Sequence, residues 1–345
     1  MTARWSGQGI AERWAGLASV TVATDVEVLD LRHFSARQLR PLLEREALVW
    51  RERLRWDYSA SIELLLQYLE GRILQGYVAL DRGRVCGFTF CVYEGQKAVI
   101  GDAFAAGHRT RGDVETARTL LIHVLEMLRH MPTVDRVESQ LLLYDAGEFA
   151  DVLTGPEFTV CPRLFLECEL AGAGANRAQS ELPTELALAQ WGAQYYQAAG
   201  ELIYACYMGH ADAAINDQYQ SLAGSLRFLH NIVRFPGCGV FEPNFSWLLL
   251  DKQSGALAGI VLCSRVGAGV AHITQLCVAQ AYRGRGLGWM LLGQCAEGLR
   301  HAGFEAMTLT VTEANYEAVR LYERFGFTLR HRFDAMVMDS RYRAS

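Results

Sequence analysis

The sequence has no C-x-x-C pair and no cluster of cysteines and histidines at the spacing of metal ligands, although nine cysteines are scattered along it. This distribution is typical of reduced thiols in a cytoplasm rather than of a disulfide framework or a zinc site. We therefore expect a cytoplasmic protein that binds no metal.

An excess of basic residues and a long apolar run are also missing. The net charge is -5, so a broad electrostatic attraction to nucleic acid or to an anionic membrane is not expected. The most apolar stretch, residues 247–266, is interrupted at 251–254 by Asp, Lys, Gln and Ser. This interruption predicts a turn between two strands instead of a membrane span, so an acidic ligand would need a local site.

The length of 345 residues and the hydrophobic fraction of 51% are typical of about two globular domains. Residues 1–24 carry charges and lack a continuous apolar core, which indicates a peripheral arm rather than a secretory signal. Residues 171–181 are rich in Ala, Gly, Asn and Ser, as in a linker. We predict an arm at 1–24, a first domain at 25–170, this linker, and a second domain at 182–345.

A glycine-rich stretch in the second domain carries most of the functional information. Residues 283–288, Arg-Gly-Arg-Gly-Leu-Gly, lie between a predicted strand at 272–278 and a predicted helix at 289–301. Glycines let the backbone approach an anion, and the first amides of a helix supply donors and a positive dipole end. The spacing does not match a P-loop or the dinucleotide fingerprint. It predicts a pyrophosphate cradle, with an ordinary turn before a helix as the alternative.

A second motif follows a predicted buried strand at 304–311. Asn315, Ala318 and Tyr322 lie three and four residues apart, which predicts that they share one face of a helix. Gly326 is a typical end for that helix.

Together, Arg-x-x-Gly-x-Gly and Asn-x-x-Ala-x-x-Leu-Tyr-x-x-x-Gly-Phe resemble the coenzyme A signatures of the GNAT N-acyltransferases. The resemblance implies an α+β fold, with a mixed, mostly antiparallel sheet flanked by helices. It implies acetyl-CoA or another acyl-CoA as cosubstrate, without a metal. A small-molecule or peptide amine would attack the thioester directly, and acetyl is the default acyl group.

The resemblance also implies roles for single residues. The pyrophosphate would lie on the backbone of Arg283, Gly284, Arg285, Gly286, Leu287 and Gly288, and Leu276, Cys277 and Val278 would bind pantetheine and polarise the thioester, with Asn315 and Tyr322 completing the coenzyme site. Tyr322 resembles the general acid that protonates the departing thiolate.

The general base is less sharply defined. Strand alternation puts His272 on the same face as Leu276, which resembles the place of a glutamate base in histone acetyltransferases of the superfamily. A histidine can accept a proton near neutral pH, but a hydrogen-bonded core histidine is the alternative, and Glu313 is a weaker candidate. Asp212 and Asp217 are candidates for holding a cationic amine, with helix capping and solvent exposure as the alternative.

The first domain resembles a degenerate copy of the second. The strand pair around Gly87 repeats that around Gly259 at an offset of 172 residues, which also aligns Arg111-Gly112 with Arg283-Gly284. Val114 and Thr116 stand where the second copy has the glycines at 286 and 288. Asp113 precedes Val114, and Glu115 lies between Val114 and Thr116. Branched side chains obstruct a pyrophosphate and acids repel it.

Two further catalytic positions differ in the first copy. Ile100 stands at the offset position of His272, and Thr154 stands at that of Tyr322 when the offset becomes 168 residues.

The sequence therefore predicts a tandem GNAT protein, monomeric or homodimeric, with an acyl-CoA-dependent N-acyltransferase site in the second domain and a degenerate first domain. A non-catalytic acyl-CoA sensor or scaffold is the alternative. A transferase that uses aminoacyl-tRNA is disfavoured by the acidic charge balance and by the intact glycine loop.

Overall fold

The structure is a computed structural model that describes residues 26–106, 111–171, 182–235 and 237–339. The predicted arm at 1–24 lies outside the described residues, and so does the predicted linker apart from residue 171.

The chain alternates strands and helices in both halves. The elements of the first half are β1 (Glu27–Asp30), α1 (Ala36–Leu54), α2 (Ser59–Glu70), β2 (Gln75–Asp81), β3 (Arg84–Glu94), β4 (Lys97–Ala105), α3 (Arg111–Arg129), β5 (Arg136–Gln140) and β6 (Phe158–Glu169). Those of the second half are β7 (Leu186–Gln190), α4 (Tyr196–Tyr207), α5 (Ala211–Ile215), α6 (Leu222–Arg234), β8 (Val240–Phe241), β9 (Trp247–Asp251), β10 (Leu257–Gly267), β11 (Val270–Val278), α7 (Leu287–His301), β12 (Ala306–Thr312), α8 (Tyr316–Phe325) and β13 (Thr328–Asp339).

Within the described ranges, the strands of both halves form one sheet in the order β1-β2-β3-β4-β5-β13-β6-β12-β11-β10-β9-β7, with β8 added to β10. The pairs β4–β5 and β11–β12 are parallel and the others are antiparallel. The predicted mixed, mostly antiparallel architecture is thus present. Each half also carries helices against its part of the sheet, as α3 packs on β3 and α7 on β10.

The last strands of the two halves are exchanged, which the sequence did not predict. β13, the final strand of the second half, pairs with β5 of the first half, while β6 pairs with β12 of the second. β6 and β13 lie side by side, with Pro162 opposite Asp334. Each half therefore completes the sheet of the other, and Phe333 and Met336 pack in the core of the first half.

The surroundings of Gly87 and Gly259 support the internal repeat, because the same kinds of atoms approach both glycines. A Cβ atom added to Gly87 would lie 2.9 Å from Cδ1 of Leu120 and 3.0 Å from the backbone oxygen of Phe104. One added to Gly259 would lie 3.0 Å from Cδ1 of Leu291 and 3.1 Å from the backbone oxygen of Cys277. In both halves a helix leucine approaches the strand so closely that only glycine fits.

The register of the repeat differs by one residue on the strand that carries His272. Gly87 pairs with Ala105, whereas Gly259 pairs with Val278, so the offset on β4 and β11 is 173 residues instead of 172. The residue that corresponds to His272 is therefore Val99 and not Ile100, which corrects the sequence alignment. The extra residue lies on β10 at the register shift between Arg265 and Gly267, which β3 does not have, and a gapless comparison cannot detect it.

Candidate active site

The glycine loop owes its shape to backbone angles rather than to crowding. Gly284 and Gly286 have φ of 74° and 76°, in the left-handed region that other residues rarely adopt. A Cβ atom added to either glycine would meet nothing within 4 Å, so the space in front of the loop is open. The backbone is thereby exposed to that space.

The loop leads directly into α7, with Gly286 as the N-cap. Met290 donates to the backbone oxygen of Gly286 at 3.1 Å, and the amides of the first turn before it have no carbonyl one turn earlier in the helix. These amides and the positive end of the helix dipole favour an anion at this position.

A cavity of about 440 Å³ extends from this loop along β11. It is lined by Cys206, Tyr207, His210, Leu276, Cys277, Val278, Tyr282, Arg283, Gly284, Gly286, Leu287, Gly288, Trp289, Asn315, Glu317, Ala318 and Leu321. The cavity thus brings together the two signatures that the sequence separates by one helix and one strand.

One wall of the cavity is an unpaired strand edge. β11 pairs with β12 only as far as Ile273 opposite Leu309, although β11 continues to Val278. The segment Leu276–Val278, to which the resemblance assigns pantetheine binding, therefore diverges from β12. Arg283 and Cys206 contact the backbone oxygen of Val278, and the other backbone groups on this side of the segment are the ones with which a pantetheine arm can pair.

The two arginines of the loop differ in where their side chains lie and in what they contact. Arg283 lines the cavity, and its Nε donates to the backbone oxygen of Val278 at 3.1 Å. Arg285 forms an ion pair with Glu185 and lies over the ring of Tyr282. Of these two arginines, only Arg283 lies among the residues that line the cavity and can add positive charge there.

The second signature forms the opposite wall. Asn315 is the N-cap of α8, where its side chain accepts from the amide of Ala318 at 3.3 Å. Ala318 and Leu321 follow on the cavity side. The helix ends at Gly326, whose φ is 112°, as predicted.

Tyr322, which the sequence placed in the coenzyme site, is not among the residues that line the cavity; it is buried and lies edge-on to Phe327. Burial, and after it the neighbouring Cys277 and Asp212, raise the pKa of the Tyr322 phenol. The hydroxyl therefore stays protonated at neutral pH and is a proton donor.

His272 lies outside the residues that line the cavity. Its ring is 5.0 Å from that of Trp56 and 5.7 Å from that of Phe165, between centroids. Burial lowers the pKa of His272 to about 3, and Nδ1 lies 2.9 Å from Oγ1 of Thr308. This is the environment of a core histidine, so the predicted base role finds no support in the geometry.

The strand-alternation argument for His272 fails because of a β-bulge. The pairing of β10 with β11 skips Thr274, so the residues after it change faces. Leu276 packs with Ile273 toward α7, while Cys277 packs toward α4. His272 consequently does not share a face with Leu276.

The cavity contains polar residues to which the sequence assigned no role. His210 lines it, with Nε2 3.3 Å from Nδ2 of Asn315. Tyr207 also lines it and donates to Oε1 of Gln275 at 3.2 Å. The concentration of polar and aromatic residues at 204–219 was the available signal.

Two cysteines lie in the same wall. The hydrogen bond with the Cys277 thiol, and then the Arg283 guanidinium, lower the pKa of Cys206 to about 7 against the opposing effect of burial. The Cys206 thiol contacts the backbone oxygen of Val278 at 3.4 Å. Cys206 is therefore the more acidic thiol of the pair.

The residues predicted to hold the acceptor amine, and the weaker base candidate, already have partners within the protein. Asp212 is buried and accepts from the hydroxyl of Thr312. Asp217 forms an ion pair with Lys97 of the first half. Glu313, the weaker base candidate, pairs with Arg332 at 2.7 Å.

The first half has no comparable loop among its described residues. Leu120 contacts Gly87 as Leu291 contacts Gly259, so the two leucines are equivalent. When α3 and α7 are aligned on these leucines, α3 begins about five residues earlier than α7. Residues 111–115 are therefore helical where the second half has its glycine loop. Thr116 is buried, with its hydroxyl on the backbone oxygen of Gly112 at 3.0 Å.

Comparisons with known proteins find similar sequences and similar folds. Residues 213–327 match the acetyltransferase (GNAT) family model. An uncharacterized N-acetyltransferase of Bacillus subtilis (strain 168), YobR, is 31% identical over 101 residues, which are 29% of this chain and 38% of that relative.

Two solved structures have a similar fold over nearly the whole chain. A GCN5-related N-acetyltransferase from Sphaerobacter thermophilus has a TM-score of 0.61 at 15% identity, over 93% of this chain and 97% of its own. A tandem GNAT protein from the clavulanic acid biosynthesis pathway has a TM-score of 0.62 at 17% identity, over 92% and 99%.

Residues 213–327, which include most residues that line the cavity, are thus similar to the GNAT acetyltransferases, as the two signatures indicated. The whole chain has the fold of a tandem GNAT protein. Members of this family transfer acyl groups to amines.

Proposed function

We propose that the second half transfers an acyl group from acyl-CoA, acetyl-CoA by default, to an amine that attacks the thioester directly. The observation that carries this proposal is the single cavity shared by the glycine loop, the diverging edge Leu276–Val278 and Asn315.

The coenzyme would bind along this cavity from the loop inward. The pyrophosphate would be held by the amides at the start of α7, with Arg283 as the nearby cation. The pantetheine arm would pair with the free edge of Leu276–Val278. A backbone amide there would polarise the thioester carbonyl, as oxyanion-hole donors do.

Two proton transfers complete the reaction. Tyr322 would protonate the departing thiolate, and its raised pKa keeps the phenol protonated at neutral pH. For the amine proton we propose His210 rather than His272, because His210 lines the cavity and a pKa of about 3 makes His272 a poor base.

The test is acetyl-CoA with a panel of small and peptide amines, followed by release of free thiol and by mass spectrometry of the product. We expect thiol release that depends on an amine. Tyr322→Phe should lower kcat and leave the Kd of acetyl-CoA within about twofold, since the phenol acts on the leaving group. Tight coenzyme binding without thiol release from any amine would contradict the transferase and favour the sensor.

A further inference from the structure

A buried charge cluster joins the first half to the second. Lys97, on β4, has a side chain only 6% exposed. Its Nζ lies 2.5 Å from Oδ1 of Asp217, and 3.2 Å and 3.3 Å from carboxylate oxygens of Glu94 and Glu138. A lysine of the first half thus neutralises an aspartate of the second.

Further hydrogen bonds hold the backbone around Asp217. Its amide donates to Oε1 of Glu138 at 2.9 Å. Arg136, which also binds Glu138, donates to the backbone oxygen of Ala214 at 2.5 Å. The side chain of Gln218 donates from Nε2 to a carboxylate oxygen of Glu94 at 3.2 Å. First-half side chains therefore fix the segment 214–218.

This segment leads directly to the cavity wall. The ring of Tyr219, two residues after Asp217, stacks on that of Tyr207 with centroids 4.0 Å apart and planes at 7°. Tyr219 also accepts from Nε2 of Gln275 at 2.8 Å. Tyr207 in turn lines the cavity beside His210. Any shift of Asp217 would therefore reach the Tyr207 ring.

We propose that Lys97 is a positioning residue for the acyl acceptor, acting through Asp217 and Tyr219 on the Tyr207 wall of the cavity. This inference rests on the transferase function proposed above. It gives the degenerate first half a task in the reaction: it shapes the acceptor side of a site that binds its coenzyme on second-half residues.

The physical basis is the cost of an unpaired buried charge. Without Lys97, the carboxylates of Asp217 and Glu94 lose their cation, while Glu138 keeps its ion pair with Arg136. Removal of one partner from a buried ion pair is strongly unfavourable, and the remaining charges move toward water. The segment 214–218 would then leave its place, while the glycine loop keeps its own contacts.

The test compares Lys97→Met with Lys97→Arg, and with Arg118→Met as the matched control. Arg118 is a first-half cation whose partners, Glu115 and Asp151, belong to the same half. We expect Lys97→Met to raise the KM for the acceptor by about tenfold or more, because small misplacements of binding groups weaken productive binding. The kcat and the Kd of acetyl-CoA should stay within about twofold.

Lys97→Arg should restore most of the acceptor KM, and Arg118→Met should leave it unchanged. Asp217→Asn, which removes the charge and keeps the shape, serves as a second variant should Lys97→Met fold poorly. Amide hydrogen exchange in residues 211–221 should accelerate in Lys97→Met and Asp217→Asn.

An unchanged acceptor KM in both variants, or an equal rise in Arg118→Met, would overturn the positioning role while the transferase stands. Absence of thiol release in the wild type with every amine would overturn the transferase, and the acceptor role with it.

Discussion

Tyr144 donates its hydroxyl hydrogen to the backbone oxygen of Ala103 at 2.7 Å. In the register of the two halves, Ala103 corresponds to Leu276, which faces the cavity of the second half. β4 diverges from β5 beyond Ile100, just as β11 diverges from β12. The buried ring of Tyr144 therefore fills in the first half the slot that remains open in the second.

We expect Tyr144→Phe to lower the free energy of unfolding by about 1 kcal/mol, because a buried carbonyl loses its hydrogen bond. Coenzyme stoichiometry, measured by calorimetry, should remain one per chain, since the ring still fills the slot. A second equivalent bound by the wild type or by this variant would contradict the closed state of the first half.

Cys206 should be the most reactive thiol at neutral pH. With the pKa of Cys206 lowered to about 7, its alkylation by iodoacetamide should reach half of its maximal rate near that pH. Cys161 is the internal control, because it is partly exposed and burial raises its pKa. Peptide mapping by mass spectrometry should show that acetyl-CoA slows alkylation of Cys206 and leaves that of Cys161 unaltered; equal protection of both would argue against coenzyme in this cavity.

A buried carboxyl in the first half should make stability depend on pH. Burial, and then the neighbouring Asp102, hold the pKa of Glu46 well above its usual range. The unfolded chain gives up this proton near pH 4.3 while the folded chain keeps it. The stabilisation is therefore complete at low pH and is lost as the pH rises toward the folded pKa.

Glu46→Gln should flatten the decline in the free energy of unfolding between about pH 5 and pH 8, by up to about 1.4 kcal/mol for each pH unit. Glu44→Gln, an exposed change on the same helix, is the control and should leave the slope unchanged. Denaturant titrations at several pH values measure both. An unaltered slope in Glu46→Gln would show that Glu46 is ionised in the folded protein.

The two histidines should differ in their effect on kcat/KM. Removing a general base costs on the order of 10² to 10⁴ in rate, so His210→Gln should lower kcat/KM by a factor in this range. His272→Gln should act mainly on the melting temperature and leave kcat/KM nearly unchanged, because a pKa of about 3 makes His272 a poor base. The reverse result would restore the base role to His272.

Much of the second half follows from local patterns. Residues 270–278 and 287–301 form the expected strand and helix, because their apolar spacing and the glycines between them act locally. The exchange of β6 and β13 depends on pairings between distant segments that share no local signal. A single bulge at Thr274 reversed the face of His272, since each inserted residue flips the alternation that follows.

The central claim is a single coenzyme site on the glycine loop of the second half, and titration calorimetry with acetyl-CoA tests it most directly. The wild type and Gly112→Ala, a change at the first-half glycine that the sequence aligns with Gly284, should each bind one coenzyme per chain with equal Kd. Gly286→Val should weaken binding by roughly tenfold or more, since a branched residue at a φ of 76° costs about 1–2 kcal/mol. Unchanged binding in Gly286→Val, together with a loss in Gly112→Ala, would contradict the account.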